Sequence, residues 1–177
     1  MTRTEWRKEW RNEWRKIAVA VATLGVLAAV NAGIAGRERL LTEGRTVYLE
    51  LAPVDPRSLM QGDYMALRFA IADEAFRTRK MESPRDGHIV AAVDARGVAN
   101  FRRLADGRPL APDEVLLRYR VRNGDVKFAT NAFFFEEGQA ARYEQARFGA
   151  FRVDRDGEMI LTGLRDAGLK DPGSGAR

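Results

Sequence analysis

Residues 17–35 read IAVAVATLGVLAAVNAGIA, nineteen positions without a charge. Coiled as an α-helix, such a run crosses roughly the 30 Å hydrocarbon core of a bilayer. No other stretch constrains the chain so strongly, because a helix apolar on every side must be buried in lipid or in protein. The run is alanine-rich and holds two leucines, Leu24 and Leu27. Three readings fit it. One is an uncleaved transmembrane anchor. Another is a cleaved signal peptide, for which Val30-Asn31-Ala32 and Gly33-Ile34-Ala35 supply small residues. The third is the core helix of a soluble protein. The run is longer than the roughly 7–15 apolar residues of a signal peptide, which favours the anchor. The basic flank before it argues against a core helix.

That flank, residues 1–16, carries six basic and three acidic residues, while only Arg37, Arg39 and Arg45 follow the span closely. The positive-inside rule then places the N-terminus in the cytoplasm and everything after the span outside it. In a bacterium this is a single-pass inner-membrane protein with a periplasmic C-terminal domain. The flank repeats EWRK, EWRN, EWRK over residues 5–16. A four-residue period keeps Trp6, Trp10 and Trp14 in one drifting row on a helix, beside Arg7, Arg11 and Arg15. This predicts an amphipathic arm at the membrane surface, with tryptophans at headgroup depth, or an extension docked on another membrane protein. Within the span, Gly25, Ala29 and Gly33 form a small-residue stripe that permits close approach of a partner helix. Asn31 is polar in the outer half of the span; it bonds a partner helix or sits near the interface.

The net charge of +5 in 177 residues is concentrated in the arm, where acids alternate with bases. A nucleic-acid binder would gather its basic residues on the folded part, so no nucleic-acid partner is expected. The absence of cysteine excludes disulfides, thiolate zinc sites and cysteine nucleophiles. His88 is the only histidine, so a His-rich metal site within one chain is excluded and no metal is expected. No phosphate loop, dinucleotide fingerprint or Gly-x-Ser-x-Gly elbow is present, and no cofactor is expected.

Beyond a linker or helix end at 37–45, the chain mostly carries strand signals. Thr46–Leu51 is β-rich, and Tyr64–Ile71 alternates in part. His88–Val93 is an apolar run. Val98–Leu104 alternates moderately. In Glu114–Arg122, Val115, Leu117, Tyr119 and Val121 fall on one face. Asn123-Gly124 then predicts a hairpin into Val126–Ala129. Phe148–Val153 and Glu158–Leu164 flank Asp154-Arg155-Asp156-Gly157 as a second hairpin. Asp73–Arg79 and Glu136–Arg147 read as helices. The expectation is a mainly β, antiparallel α+β domain over 46–168, with one or two short helices, preceded by a single transmembrane helix over 17–36 and followed by a frayed tail over 169–177.

Chemistry has few places to sit. The stretch DPRSLMQGDYMALRF, residues 55–69, holds a serine, two aspartates, two arginines and a tyrosine. Around Ser58 it resembles the nucleophile region of signal-peptidase-type Ser/Lys enzymes, and Lys127 in the strand-like VKFA is the candidate base. The proline that follows the nucleophile in those enzymes is absent after Ser58. A turn residue is the plainer reading. The acidic turn 154–158 resembles a calcium loop but lacks the third ligand position and the distant bidentate glutamate. Phe133-Phe134-Phe135, before Glu136-Glu137, is either an exposed patch for a partner or core with its middle ring partly exposed; core is favoured.

At Gly62-Asp63-Tyr64-Met65-Ala66-Leu67-Arg68-Phe69 the sequence resembles the GDYXXLXY family of membrane-anchored proteins. The match lies at Gly62, Asp63, Tyr64 and Leu67, and Phe69 replaces the last tyrosine. Ala52-Pro53-Val54-Asp55-Pro56-Arg57, the aromatic run into Glu136-Glu137-Gly138, and Glu144 also resemble the family. The resemblance implies a single-span anchor and a soluble extracytoplasmic domain, often encoded beside a polytopic membrane protein. It implies no established activity. The residues themselves say more. Pro53 and Pro56 end a strand, and Gly62 and Asp63 suit a turn. Met65, Leu67 and Phe69 then face the core while Tyr64, Ala66 and Arg68 face away. Asp55, Arg57, Asp63, Tyr64 and Arg68 form a candidate polar cluster, either pinning the loop or recognising a partner.

These readings together point to a non-enzymatic interaction module anchored in the membrane, with lipid and a polytopic membrane protein as partners. The alternatives are a Ser58/Lys127 hydrolase and a periplasmic small-ligand domain with a pocket beside Asp63 and Tyr64.

Overall fold

The computed structural model of the chain describes residues 3–52, 60–61, 64–77, 85–122, 125–130 and 132–172. They fall into two compact units, Met1–Arg39 and Leu40–Arg177.

The first unit is helical. Helix α1 runs unbroken over Arg3–Glu43, so the arm, the apolar run and the first part of the expected linker are one element, whose last turn belongs to the second unit. None of its apolar window is buried within the chain, and the helix is long and apolar enough to cross a membrane. Those are the length and composition of a membrane anchor or a signal sequence. Its one hydroxyl in the apolar stretch is satisfied internally: Thr23 Oγ1 donates to the Val19 carbonyl at 2.9 Å.

In the second unit the chain order is β1 (Arg45–Glu50), β2 (Met60–Gln61), β3 (Tyr64–Ala66), α2 (Ala70–Arg77), β4 (Gly87–Val93), β5 (Ala99–Leu104), β6 (Glu114–Arg122), β7 (Asp125–Lys127), β8 (Ala132–Phe134), α3 (Ala140–Tyr143), β9 (Phe148–Val153) and β10 (Met159–Arg165). Three sheets result, ordered β1-β9-β10, β2-β3-β8 and β5-β4-β6-β7. All the pairings within them are antiparallel. The expected β-rich α+β domain behind a long apolar helix is therefore the observed architecture.

Alternation explains the longest strand. In β6, Val115, Leu117 and Tyr119 are buried while Arg120 and Arg122 are exposed. Strand β4 is buried on both faces over Ile89–Ala91, which is why it reads as an unbroken apolar run. Val47, Leu49, Leu67, Ile89, Leu117, Phe151 and Leu164 are almost fully buried and make the centre of one core. Backbone bonds tie the sheets together. The Tyr48 amide donates to Gly97 O at 2.8 Å, and the Arg118 amide to Gly157 O at 2.9 Å. Leu40 is buried in this unit, and Arg152 Nη1 donates to Gly44 O at 2.9 Å.

Residues 37–43, read as linker or helix end, are the end of α1. Three other stretches differ from the expectation. The strand expected over Tyr64–Ile71 stops at Ala66. The Ala72 amide bonds Phe69 O at 3.0 Å and turns the chain into α2, which buries Ile71 and Ala75 one turn apart. The helix expected over Glu136–Arg147 shrinks to Ala140–Tyr143, because Gly138 at φ 80° interrupts it and Arg147 already bonds Leu51 and Arg165 as a strand. Residues 169–172, read as tail, stay with the domain: Pro172 is buried, and Arg142 reaches Asp171 Oδ1 at 2.7 Å.

Candidate functional site

The two ends of the motif segment are adjacent. Leu51 pairs with Phe69, and the Ala52 amide donates to Arg68 O at 2.8 Å. Between these ends stands a small sheet. Gln61 pairs with Tyr64 and Met60 with Met65, so β2 and β3 form a hairpin. On its other side β3 pairs with β8, setting Tyr64 opposite Phe134 and Met65 opposite Phe133. Strand β2 carries no periodic signal in two residues, and the sequence alone did not suggest it.

The inward side of the motif packs as expected. Met65, Leu67 and Phe69 are buried. Phe69 lies edge-on to Phe128 and Phe151, with centroids 5.9 and 5.4 Å away. Its ring also lies against Gly149, where a Cβ would sit 3.0 Å from Phe69 Cε1 and 2.9 Å from Phe151 Cε2. A glycine is needed there for the close approach. The position where the motif has its last tyrosine is thus an aromatic core contact in this chain.

The outward side is different. Tyr64 packs on Phe134 with centroids 5.8 Å apart at an interplanar angle of 40°. Phe134 is 74% exposed, well above any other large apolar side chain described in this unit. Phe133 and Phe135 are half-buried against Tyr143, at 5.0 and 5.3 Å. The Phe-Phe-Phe run is therefore part core and part surface, as strand alternation dictates. The Arg142 guanidinium lies 5.6 Å over the Tyr143 ring and also donates to Pro172 O at 2.6 Å, fixing α3 beneath the sheet.

Of the five candidate polar residues, Asp55, Arg57 and Asp63 lie outside the described residues, as does Ser58. Arg68 turns towards α2, with Nη2 3.3 Å from Asp73 Oδ1 in an exposed pair. Tyr64 turns towards Phe134. The Arg68 partner was not named from the sequence, although an acid five residues on, at the start of a helix, is the available signal. Lys127 sits in β7 directly opposite Arg120. The carboxylate of Asp154, in the loop that resembles a calcium site, is spent on its own backbone: it accepts from the Asp156 and Glu158 amides at 3.0 and 2.9 Å. Gly25 and Gly33, in the small-residue stripe of α1, have nothing within 4 Å of an added Cβ. Trp6, Trp10, Trp14 and Ala29 lie on the same helix.

No curated protein and no solved structure matches the chain. A family model described as GDYXXLXY protein matches residues 26–164, from inside the apolar helix through nearly the whole of the last strand. A match over that length, including the hairpin and the aromatic strand paired with it, means that the chain belongs to the GDYXXLXY protein family.

Proposed function

We propose that the protein is a non-enzymatic interaction module, held in the inner membrane by α1 and presenting its β domain outside the cytoplasm to a polytopic membrane protein. The observation that carries this reading is the exposed ring of Phe134, stacked on the motif's own Tyr64. An exposed phenylalanine costs apolar contact with water, and aromatic anchors on a rigid strand are what partner pockets accept. Just past β3 the same stretch of chain is anchored in the core, where Phe69 packs on Phe128 and Phe151. The basic arm before the span supports an N-terminus in the cytoplasm. The open stripe Gly25, Ala29 and Gly33 supports helix contact with the partner inside the bilayer.

The test places a photo-crosslinking amino acid at position 134 in native membranes, with position 110, on an exposed turn, as control. A polytopic membrane protein captured from 134 and not from 110, and co-purifying in mild detergent, is the expected result. Capture of no protein from 134 would end the reading. Tyr64→Ala should weaken the capture, because it removes the ring on which Phe134 rests.

A further inference from the structure

Strand β8 lies at one side of the β2-β3-β8 sheet and pairs with β3 alone among the described residues. The register fixes which of its backbone groups face the outer edge. Gln61 and Tyr64 pair with only two residues between them, so they form the hydrogen-bonded pair that closes the hairpin. The amide and carbonyl of Tyr64 therefore turn to β2. Phe134, opposite Tyr64 on the other side, then belongs to a pair without mutual bonds, and its own amide and carbonyl turn away from β3. Ala132, two residues back, turns the same way, and there the groups are covered: Thr130 Oγ1 accepts the Ala132 amide at 3.2 Å and donates to the Ala132 carbonyl at 2.9 Å. Two residues on, the Glu136 carbonyl accepts the Gln139 amide at 3.1 Å. Among the described residues, nothing bonds the amide or carbonyl of Phe134. The rim of this edge is acidic. Residues 132–146 hold Glu136, Glu137 and Glu144, all exposed, and one base, Arg142, which is engaged by Asp171 and Pro172. Among the described residues, no base pairs with these glutamates.

We propose that the partner adds a short, extended, basic segment to the edge of β8, making both hydrogen bonds of an antiparallel pair with Phe134 and setting its cationic side chains against Glu136, Glu137 and Glu144. The inference rests on the interaction reading above and names the part of the partner that docks. Strand addition takes affinity from main-chain bonds and specificity from side chains at alternate positions. The covered groups of Ala132 and Glu136 on either side keep the added segment short, and the exposed Phe134 ring gives it an apolar contact. A second copy of the chain, paired β8 to β8, would bring the same acids to both sides of the joint, and like charges oppose that.

The full chain in dodecyl maltoside is titrated with a synthetic peptide of lysine, valine, threonine, valine and lysine, in that order. Binding is read by fluorescence anisotropy and by hydrogen exchange at the Phe134 amide. One twin peptide is N-methylated at its central residues, which keeps the side chains and removes the donors. Another has glutamate in place of lysine. The basic peptide should slow exchange at Phe134. The N-methylated twin should bind about ten-fold more weakly, the order set by one backbone hydrogen bond. The acidic twin should also bind more weakly, with the gap closing at high salt. Glu136→Gln with Glu137→Gln should narrow that second gap and leave the first. Binding of the basic peptide no tighter than either twin overturns the proposal. So does a Phe134 amide already protected in the chain alone, which would mean that another stretch of this chain or a second copy covers the edge. Those outcomes leave capture of a membrane protein from position 134 intact, whereas loss of that capture ends the interaction reading and this proposal with it.

Discussion

Asp94, Asp154 and Asp166 each open a five-residue loop and close it with the same bonds. In each loop the carboxylate accepts amides two and four residues on, at 2.8–3.0 Å. The fourth residue is left-handed: Gly97 at φ 86°, Gly157 at φ 82° and Leu169 at φ 60°. Leu169 shows that a side chain is held there at a strain of about 1–2 kcal/mol. Position 157 adds a contact, because a Cβ would lie 3.0 Å from Leu116 Cβ and 3.1 Å from His88 Cδ2. Gly157→Ala should therefore cost about 2–4 kcal/mol in urea unfolding, strain and overpacking together. A cost near that of strain alone would show that the loop does not press on β6. Asp106 makes a second residue-scale prediction. The Arg108 side chain donates to it at 2.6 Å, and with the Arg108 amide and the Arg103 charge it lowers the carboxyl to about 2. Because the folded value is depressed, the bonds persist as pH falls through the ordinary aspartate range and are lost near 2. A carboxyl-detected NMR titration should show that midpoint, and Arg108→Gln should move it back towards 3.8.

At the scale of elements, β3 and β8 divide stability from recognition by alternation. Phe69→Ala, just past β3, removes a ring packed on Phe128 and Phe151 and should cost about 3–5 kcal/mol. Phe134→Ala removes a ring that is mostly in water and should shift the unfolding midpoint by under about 0.5 kcal/mol. The same change should abolish co-purification of the partner in mild detergent; retained co-purification, or a large loss of stability, would contradict the division. Much of this was legible in the sequence, since period two in 114–122 marks a strand with one face inside. The order Leu67, Phe69 inward and Tyr64, Arg68 outward followed from the same rule. The short elements were not legible. Two residues of β2 hold no period, and α3 needs Gly138 and the strand bonds of Arg147 to define its ends. The partner of Tyr64 was hidden for another reason. Phe134 lies seventy residues away in sequence, and local pattern does not say which strands meet.

For the whole molecule, the division into a lipid-suited helix and a β domain with its own core makes a separable prediction. Every buried apolar residue of the described chain, from Leu40 onward, belongs to the second unit. A chain beginning at Leu40 should therefore be soluble and unfold in one cooperative transition. A chain beginning at Arg45 should fold less stably, because it loses buried Leu40 and the Gly44 carbonyl that Arg152 binds at 2.9 Å. Burial of one leucine side chain contributes about 1.5–3 kcal/mol, and the bond about 1 kcal/mol more. The difference between the two truncations in a urea titration should fall near that sum. A difference close to zero would mean that the helix end is only a tether. A difference of the expected size would mean that the last turn of α1 is a structural part of the domain, so that the unit presenting Tyr64 and Phe134 begins inside the helix rather than after it.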